Sequence, residues 1–316
     1  MSDEVEWRAN ALRSMLVRRA ALYRQIRQFF DRKEVLEVET PLLCDATALE
    51  PNLTSFLVAD AQRYLQTSPE FAMKRLLASG SGPIYQLCKA FRQGEEGRRH
   101  NPEFSMLEWY QPGYCLDELI AEVEELVGEV MGERPLDVVS YAQVFQRYLD
   151  VNPFSAEYEH LQQLARERCG YQDDGKNRDD LLDVLMSQLI EPQLGDGCFT
   201  FVKDFPASAA ALARIGRNPD GHAIAQRFEL YVNGVELANG YDELLDAEEF
   251  ANRCAANQHQ RGQRNLPVYP SPTRLLRATS SIPACCGVAL GVDRLLMLAV
   301  GQDNIADTLA FPFSTA

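Results

Sequence analysis

The segment from Arg227 to Gly240 reads RFELYVNGVELANG and carries the clearest structural signal in the chain. Asn233-Gly234 separates two runs of alternating apolar and polar residues, and Asn-Gly favours a two-residue type I′ turn because both residues accept positive φ. The pattern predicts a β-hairpin with three facing pairs: Val232 with Val235, Tyr231 with Glu236, and Glu229 with Ala238. An antiparallel sheet is therefore expected in this part of the chain.

The two glutamates of this hairpin are a candidate metal site. In the predicted register Glu229 and Glu236 are diagonal neighbours on one face, roughly 5–8 Å apart. Two carboxylates at that distance repel each other unless a cation lies between them or one is protonated. Oxygen ligands suit Mg²⁺, which commonly joins protein carboxylates to substrate phosphates. The alternative is a solvent-exposed face that tolerates both glutamates, and the hairpin alone does not decide between the two.

A second hairpin is predicted upstream, where the strand-like runs Ile84–Arg92 and Glu103–Tyr110 flank a polar, glycine-containing loop. With a period of two, one face of the second run carries Phe104, Met106, Glu108 and Tyr110. These side chains, together with Arg92, could bind a nucleotide and an amine. The alternative is a half-buried sheet in which Arg92 pairs with Glu108, and this hairpin alone favours that alternative.

Helical segments are predicted between the strand blocks. Apolar spacing predicts an amphipathic helix over about 8–31, and residues 117–131 and 140–192 also have helical patterns. The β-rich stretch 35–41 ends at a proline and therefore indicates an edge strand. Hairpin strands with helices between them favour an α+β fold, in which helices flank an antiparallel sheet.

Two further segments place polar side chains at helix starts. Thr67-Ser68-Pro69-Glu70 carries a hydroxyl, a proline and an acid, which are typical of a helix N-terminus. Glu70 there either complements the helix dipole or receives a cationic substrate. The segment 287–294 (GVALGVDR) predicts a strand that enters a helix capped by Asp293.

The composition limits the function classes. The 316 residues carry a formal charge of −15, which argues against a protein whose main task is to grip a nucleic-acid backbone. No apolar run is long enough to span a bilayer, and the acidic N-terminus lacks the layout of a signal peptide. The eight cysteines form no Cys-x-x-Cys pair, so we expect reduced thiols in a cytoplasmic protein and no structural zinc.

Three segments, taken in order, resemble the signatures of the class II aminoacyl-tRNA synthetases, and of the lysyl-tRNA synthetases among them. The first helix and strand, ending at Pro41, resemble the first signature, which builds the dimer interface in that family. Phe91-Arg92 with residues 100–110 (HNPEFSMLEWY) resembles the second signature, and 287–294 resembles the third. The resemblance implies one class II catalytic domain over 1–316, with a mainly helical insertion at about 117–200, that forms a homodimer.

The resemblance also implies that the protein uses ATP and Mg²⁺, and it implies residue roles. Arg92, Glu236 and Arg294 would be catalytic, because charge on the reacting phosphate must be stabilised. Residues with an implied ATP-binding role are Arg92, Gln93, Gly94, His100, Asn101, Phe104, Glu236, Leu237, Gly291 and Arg294. Residues with an implied amino-acid-binding role are Ser68, Pro69, Glu70, Glu108, Tyr110, Asn239 and Glu243. Glu229 and Glu236 would bind Mg²⁺, in agreement with the hairpin pattern.

The chain departs from the lysyl-tRNA synthetase signatures at two places. The second signature commonly reads Arg-Asn-Glu, whereas this chain reads Arg92-Gln93-Gly94 and continues with Glu95 and Glu96. Either one of those glutamates takes the place of the usual one, or nucleotide binding is altered. Ala289 stands where the third signature of the lysyl enzymes usually has glycine, which indicates a changed preference for amino-acid shape.

The chain begins almost at the catalytic domain, where lysyl-tRNA synthetases carry an additional anticodon-binding barrel. This shortened form resembles the elongation factor P–(R)-β-lysine ligases, a synthetase-derived family that modifies a protein. The expected function is ATP-dependent activation of β-lysine or lysine as an adenylate, followed by amide-bond formation with a lysine side chain of elongation factor P. Neither tRNA nor a membrane is an expected partner. The alternatives are a truncated lysyl-tRNA synthetase that charges tRNA and a catalytically silent regulatory paralogue.

Overall fold

The structure is a computed structural model that describes residues 7–47, 50, 52–172 and 177–316. The acidic N-terminal stretch that argued against a signal peptide therefore lies almost wholly outside the described residues. The architecture is α+β, with a large and mainly antiparallel sheet flanked by helices, which confirms the predicted fold class.

The strands are β1 (Leu36–Glu37), β2 (Leu43–Cys44), β3 (Leu57–Val58), β4 (Arg63–Leu65), β5 (Ile84–Phe91), β6 (Glu103–Pro112), β7 (Leu136–Ser140), β8 (Phe199–Pro206), β9 (Ile215–Arg217), β10 (Ala223–Val232), β11 (Val235–Asp242) and β12 (Cys285–Gly291). The helices are α1 (Arg13–Arg32), α2 (Glu70–Ala78), α3 (Leu116–Met131), α4 (Tyr141–Leu149), α5 (Tyr158–Cys169), α6 (Arg178–Leu185), α7 (Ala247–Gln263), α8 (Thr273–Ala278) and α9 (Val292–Ala299). Short 3₁₀ and π segments lie between some of them.

Within the described residues, the main sheet has the strand order β1-β5-β6-β12-β11-β10-β8-β7, and β9 pairs with β10. Neighbouring strands are antiparallel except at the two edges, where β1 pairs with β5 and β7 pairs with β8 in parallel. β1 is therefore the edge strand that the proline after it predicted. β2, β4 and β3 form a separate three-stranded sheet.

Alternation along β6 separates the hydrophobic core from the opposite face of the sheet. Leu107 and Trp109 are buried in the main core, where α1, α3 and α9 cover the sheet. Glu108 and Tyr110 point to the other face, because successive side chains of a strand alternate. The predicted hairpin of β5 and β6 is confirmed, with Ile84 opposite Tyr110.

Helix α1 begins later than the sequence predicts. It starts at Arg13, since Leu12 is extended (φ −64°, ψ 156°) and the chain before it bonds elsewhere. The backbone N–H of Asn10 donates to Ala310 O at 2.8 Å, and its Nδ2 donates to Ala306 O at 2.7 Å. These residues pack on the C-terminal segment instead of extending the helix.

The Asn-Gly hairpin forms as β10 and β11, but its register departs from the prediction. Two of the three predicted facing pairs form: Val232 with Val235 and Tyr231 with Glu236. The third prediction is wrong, because Glu229 pairs with Asn239 and not with Ala238. A β-bulge causes the difference, since Leu237 is an extra residue without a partner on β10.

The bulge changes which side chains share a face of the sheet. In a regular strand Glu236 would share its face with Ala238. With the extra residue, Glu236 instead lies on the same face as Asn239, Tyr241 and Glu243. Carboxylates that strict alternation would place on opposite faces therefore meet in one cleft.

Asp293 does not cap α9, contrary to the prediction. The N-cap residue is Gly291, and Asp293 lies buried in the first helical turn. Its Oδ1 pairs with Arg19 Nη1 at 2.5 Å, and its Oδ2 accepts the backbone N–H of Ser105 at 2.7 Å. Asp293 thus ties α1, β6 and α9 together at the wall of the cleft.

The segment at about 117–200 contains most of α3, the whole of α4–α6 and the short strand β7. Residues 173–176 within it lie outside the described residues. α4–α6 pack against β8 and β10 in a second hydrophobic cluster, which includes Phe145, Leu181 and Phe205. The division into one domain with a helical insertion stays a prediction.

The described part of the chain contains no helix that is both long and apolar enough to cross a membrane.

Candidate active site

A cleft of about 350 Å³ lies over the middle strands of the main sheet. Two cross-strand rows run beneath it. The first row is Glu229, Asn239, Ala289 and Glu108, on β10, β11, β12 and β6. The second row is Arg227, Tyr241, Gly287 and Tyr110. The walls come from the start of α2, the loop between β5 and β6, and the start of α9.

Most of the residues singled out from the sequence line this one cleft. Those that do are Ser68, Glu70, Arg92, His100, Asn101, Phe104, Glu108, Tyr110, Glu236, Leu237, Asn239, Glu243, Gly291 and Arg294. Four do not: Pro69, Gln93, Gly94 and Glu229. Pro69 is the N-cap of α2, and the backbone N–H of Gln93 donates to Thr54 O at 2.7 Å. Gly94 occupies a turn with φ of 85°.

One end of the cleft, which we call the amine pocket, is a buried cluster of acidic side chains. It is formed by Glu70, Glu108, Tyr110 and Glu243. Tyr110 donates from its hydroxyl to Glu108 Oε1 at 2.7 Å, and Glu108 Oε2 has no hydrogen-bond partner within the described residues. Behind this pocket, Lys74 Nζ lies 2.7 Å from Glu70 Oε1 and 2.5 Å from Glu243 Oε2. A ligand with positive charge would satisfy the remaining oxygen atoms.

Two acids of the amine pocket, Glu108 and Glu243, have a raised pKa and so hold their protons more tightly than free carboxylates. Burial raises the pKa of Glu108 to about 8, and Glu70 adds to the rise while the hydroxyl of Tyr110 opposes it. Burial likewise raises the pKa of Glu243 to about 7, against the lowering effect of Lys74. A cationic ligand would favour the ionised form of both side chains.

Gly287 allows the amine pocket to be narrow. A Cβ atom at this position would lie 2.3 Å from Tyr110 Cε1 and 2.6 Å from Glu243 Oε1. Neither contact is sterically possible without movement of the neighbour, because both distances are far below van der Waals contact. The glycine therefore lets the phenol ring and the carboxylate approach the same point of β12.

The other end of the cleft, which we call the phosphate end, carries two arginines held by weaker contacts. Arg92 lies over the ring of Phe104, with its Cζ 5.1 Å from the ring centroid, and 3.8 Å from Glu95 Oε1. Arg92 therefore does not form the ion pair with Glu108 that the alternative of a half-buried sheet predicted. Its Nε also donates to Thr67 O at 3.4 Å.

Arg294 crosses the phosphate end from the first turn of α9. Its Nη1 donates to the carbonyl oxygen of Glu236 at 2.8 Å and lies 3.6 Å from Glu236 Oε2. Its Nη2 lies 2.6 Å from His100 Nε2. Burial and the nearby guanidinium lower the pKa of His100, so the neutral imidazole accepts this hydrogen bond.

Asn101 lines the cleft, but its amide group is already engaged. Its Nδ2 donates to Glu103 O at 2.6 Å, and its Oδ1 accepts the backbone N–H of Phe313 at 2.9 Å. Asn101 therefore joins the loop before β6 to the C-terminal segment.

Glu229 lies below the cleft, and it is not on a solvent-exposed face. It pairs with Arg227, accepts a hydrogen bond from the hydroxyl of Tyr231, and accepts one from Asn239 Nδ2 at 3.3 Å. Burial raises its pKa to about 7, with Arg227 opposing the rise and Glu236 adding to it.

Within the described residues, no group of three or more His, Cys, Asp or Glu side chains is arranged to hold a metal ion. The donor set nevertheless fits Mg²⁺, because Glu229, Glu236 and Asn239 offer oxygen atoms only. Asn239 Oδ1 is buried and has no hydrogen-bond partner in the described part of the chain. A cation bound at this place would give Asn239 Oδ1 a partner.

The sequence reasoning missed several residues that line the cleft or lie next to it. Lys74 could have been found, because it lies four residues after Glu70 on one helix face. Arg227 could also have been found, because it lies two residues before Glu229 on β10 and therefore on the same face. Tyr241 could not be assigned to this face, since the bulge at Leu237 reverses the alternation along β11. Glu50 reaches the cleft from a segment without a periodic pattern, so no local signal marks it.

The fold and the cleft together define a class II aminoacyl-tRNA synthetase catalytic unit. A sequence model of the family described as tRNA synthetases class II (D, K and N) matches residues 3–315, and the chain belongs to this family. Relatives similar over their full length carry a narrower name. The chain is 43% identical to proteins named elongation factor P–(R)-β-lysine ligase from Klebsiella pneumoniae (strain 342) and Salmonella heidelberg (strain SL476). In both comparisons 100% of this chain and 100% of the relative are covered.

Proposed function

We propose that this protein uses ATP to activate a diamino acid, (R)-β-lysine in the first place, and transfers it to a lysine side chain of elongation factor P. The amine pocket carries this proposal, since its buried carboxylates open into the same cleft as Arg92 and Arg294. The full-length identity of 43% to the named ligases supports the choice of amino acid and acceptor. The product is an amide, with AMP and pyrophosphate released.

The amine pocket would bind the two ammonium groups of the substrate. Glu70, Glu108 and Glu243 supply negative charge there, and Tyr110 orients Glu108 through its hydroxyl. Asn239 lies between this pocket and the phosphate end and would contact the substrate near its carboxylate. Ser68 and Pro69 would shape the wall, because they form the start of α2.

The phosphate end would hold ATP. Arg92 would stabilise the negative charge that grows on the α-phosphate as the substrate carboxylate attacks it. Arg294 would clamp a distal phosphate or one face of adenine, and Phe104 would stack on the other. Each arginine must exchange a present contact for the ligand, Arg92 its place on Phe104 and Arg294 its bond to His100.

The remaining residues assigned to the ATP site differ in whether they would contact ATP or act through a neighbouring residue. His100 and Glu236 contact Arg294 and would adjust with it. Leu237 and Gly291 would contribute backbone and close packing, whereas Asn101 would position the loop through its two hydrogen bonds. Gln93 and Gly94 lie outside the cleft, and Glu95 lines it. We therefore assign Glu95, and not Glu96, to the place of the usual signature glutamate.

Glu229 and Glu236 would hold Mg²⁺, with Asn239 beside them. When bound, the ion would neutralise phosphate charge and orient pyrophosphate as a leaving group. Glu229 would have to give up part of its pairing with Arg227 to serve as a ligand.

In the second step the neutral amine of the acceptor lysine attacks the carbonyl carbon of the aminoacyl-adenylate. The new C–N bond forms as the bond to the phosphate oxygen breaks, AMP leaves, and the attacking nitrogen loses a proton to solvent or to a cleft base. No covalent intermediate with the protein is needed, so positioning and electrostatics supply the rate enhancement.

We further propose that the protein is a cytoplasmic homodimer. The first-signature region exposes Leu16, Val17 and Leu36, and the three-stranded sheet that follows it exposes Leu43 and Leu57, all apolar side chains that a second copy would cover. Exposed apolar side chains in one region are typical of a protein interface. A translation factor as acceptor implies the cytoplasm.

ATP–pyrophosphate exchange, measured separately with lysine and (R)-β-lysine, tests the activation step, and acceptor assays with elongation factor P and tRNA test the transfer. We expect exchange with β-lysine and mass gain on elongation factor P. Efficient tRNA charging without protein modification would favour the tRNA alternative. Exchange with neither amino acid would leave the silent-paralogue alternative, against which the presence of Arg92, Glu236, Glu243 and Arg294 argues.

A further inference from the structure

Lys74 is a buried cation behind the amine pocket, and none of the roles proposed above uses it. Its side chain is only 3% exposed, and it does not line the cleft. Its Nζ forms ion pairs with Glu70 and Glu243, which come from different elements, the start of α2 and the end of β11. A buried ammonium is tolerated only with such partners, because the loss of hydration is costly.

The charges of this cluster do not balance. Three carboxylates, those of Glu70, Glu108 and Glu243, face one ammonium, that of Lys74. When all three acids are ionised, two negative charges remain without a partner. A diamino acid brings two ammonium groups, whereas an ordinary neutral-side-chain amino acid brings one.

We propose that Lys74 is a positioning residue that sets the charge of the amine pocket to match two ammonium groups and holds Glu70 and Glu243 in place to receive them. This inference rests on the proposed function. Lys74 acts through the two glutamates and does not touch the substrate, since its Nζ pairs with both carboxylates, which line the cleft while Lys74 does not.

The surroundings of Lys74 fix the direction of the pH effect. The titratable groups that face Lys74 or its partners are Glu50, Glu70, Cys88, Glu108, Tyr110, Tyr241, Asp242, Glu243, Cys254, Cys285 and Cys286. α8 packs on α2 and contributes apolar Leu275 to the hydrophobic cluster that contains Met73 and Leu77. Lys74 lowers the pKa of Glu108 and of Glu243 against the effect of burial. Loss of its charge would therefore raise both pKa values further, and the acids would ionise only at higher pH.

The test compares Lys74→Met, which keeps the side-chain length without the charge, with Lys74→Arg, which keeps the charge. Arg75→Met is the matched control, because it removes a cation from an exposed position on the same helix. The measurement is kcat/KM for β-lysine in ATP–pyrophosphate exchange as a function of pH. We expect the acid limb of Lys74→Met to move up by about 1–3 pH units, as for loss of an adjacent opposite charge.

At neutral pH, Lys74→Met should raise KM for the diamino acid by about tenfold or more while kcat changes much less, since each pH unit below the limb costs a factor of ten. Lys74→Arg should restore part of the shift, and Arg75→Met should behave as the wild type. An acid limb that stays in place in Lys74→Met, with kcat lowered and KM raised to a similar extent, would overturn the proposal. It would indicate that Lys74 contributes only to packing.

A second measurement needs no variant. The ¹⁵N resonance of the Lys74 side chain in the wild-type protein should remain that of an ammonium above the ordinary lysine pKa, because the carboxylates of Glu243 and Glu70 raise it in spite of burial. It should also respond to added β-lysine. Titration at the ordinary value, or no response to a ligand that supports exchange, would contradict the inference. Absence of exchange in the wild type would instead refute the proposed function.

Discussion

The two ends of the cleft hold their charged side chains in different environments. In the amine pocket, Glu108 and Glu243 are almost fully buried, and a fixed ammonium stands behind them. At the phosphate end, the side chains of Arg92, Glu236 and Arg294 are 20–38% exposed and bind one another or nearby loops. Burial fixes the carboxylates of the amine pocket before a ligand binds, so this end selects cationic ligands. The phosphate end must exchange its internal contacts for contacts with the ligand.

This difference predicts distinct kinetic signatures. Changes in the amine pocket should act mainly on KM for the amino acid and on pH dependence, because ground-state recognition occurs there. Changes at the phosphate end should act mainly on kcat where the side chain meets the reacting phosphate, because charge develops there in the transition state, and on KM for ATP where the side chain only holds the nucleotide.

The largest effect is expected for Glu236→Gln at the phosphate end. The substitution removes a carboxylate that faces Arg294 and that we assign to Mg²⁺, so exchange activity should fall by about 10²–10³-fold or more, chiefly in kcat. Because the Glu236 side chain is 38% exposed, thermal stability should be nearly unchanged. Glu96→Gln is the control, since that glutamate does not line the cleft. Normal exchange by Glu236→Gln would refute the metal-site assignment.

The next largest effect is expected for Gly287→Ala in the amine pocket. The new methyl group would meet the ring of Tyr110 and the carboxylate of Glu243. Overpacking of this kind costs about 1–3 kcal/mol, so we expect a lower midpoint of thermal unfolding and a KM for the amino acid raised about tenfold or more. Gly262→Ala in α7 is the matched control, because a Cβ there meets nothing within 4 Å. Equal behaviour of the two variants would mean that the pocket is wider than described.

Glu108 should make the stability of the ligand-free protein fall with rising pH. Its pKa is raised from 4.5 to about 8 by burial, so the folded state binds a proton that the unfolded state releases. This contribution is fully present below about pH 4.5 and is lost as the pH rises through about 8, with a slope of at most about 1.4 kcal/mol per pH unit. Thermal unfolding of Glu108→Gln across this range should therefore show a flatter profile than the wild type, while Glu96→Gln should keep the wild-type slope. An unchanged slope in Glu108→Gln would argue against a protonated Glu108.

The sequence predicts most of the cleft because its positions follow local rules. The Asn-Gly turn, the alternation along β6 and the start of α2 each depend on neighbouring residues, and each was predicted. The bulge at Leu237 has no comparable local signal, since it forms where β11 fits between two strands. The role of Asp293 was also hidden, because its partner Arg19 is 274 residues away in the chain. The features that the sequence did not predict therefore depend on pairing between residues far apart in the chain.

The smallest effect is expected for Glu95→Gln at the phosphate end, with the adjacent change Glu96→Gln as its comparison. Glu95 lines the cleft and lies 3.8 Å from Arg92, whereas Glu96 does neither. A partly exposed ion pair contributes about 0.2–1 kcal/mol, so Glu95→Gln should change KM for ATP by about twofold to fivefold, and Glu96→Gln should leave it unchanged. KM for the amino acid should not move in either variant, because the amine pocket is built from other elements. A larger effect of Glu96→Gln than of Glu95→Gln on KM for ATP would reverse the assignment, since only the side chain that reaches the nucleotide can replace the missing signature glutamate.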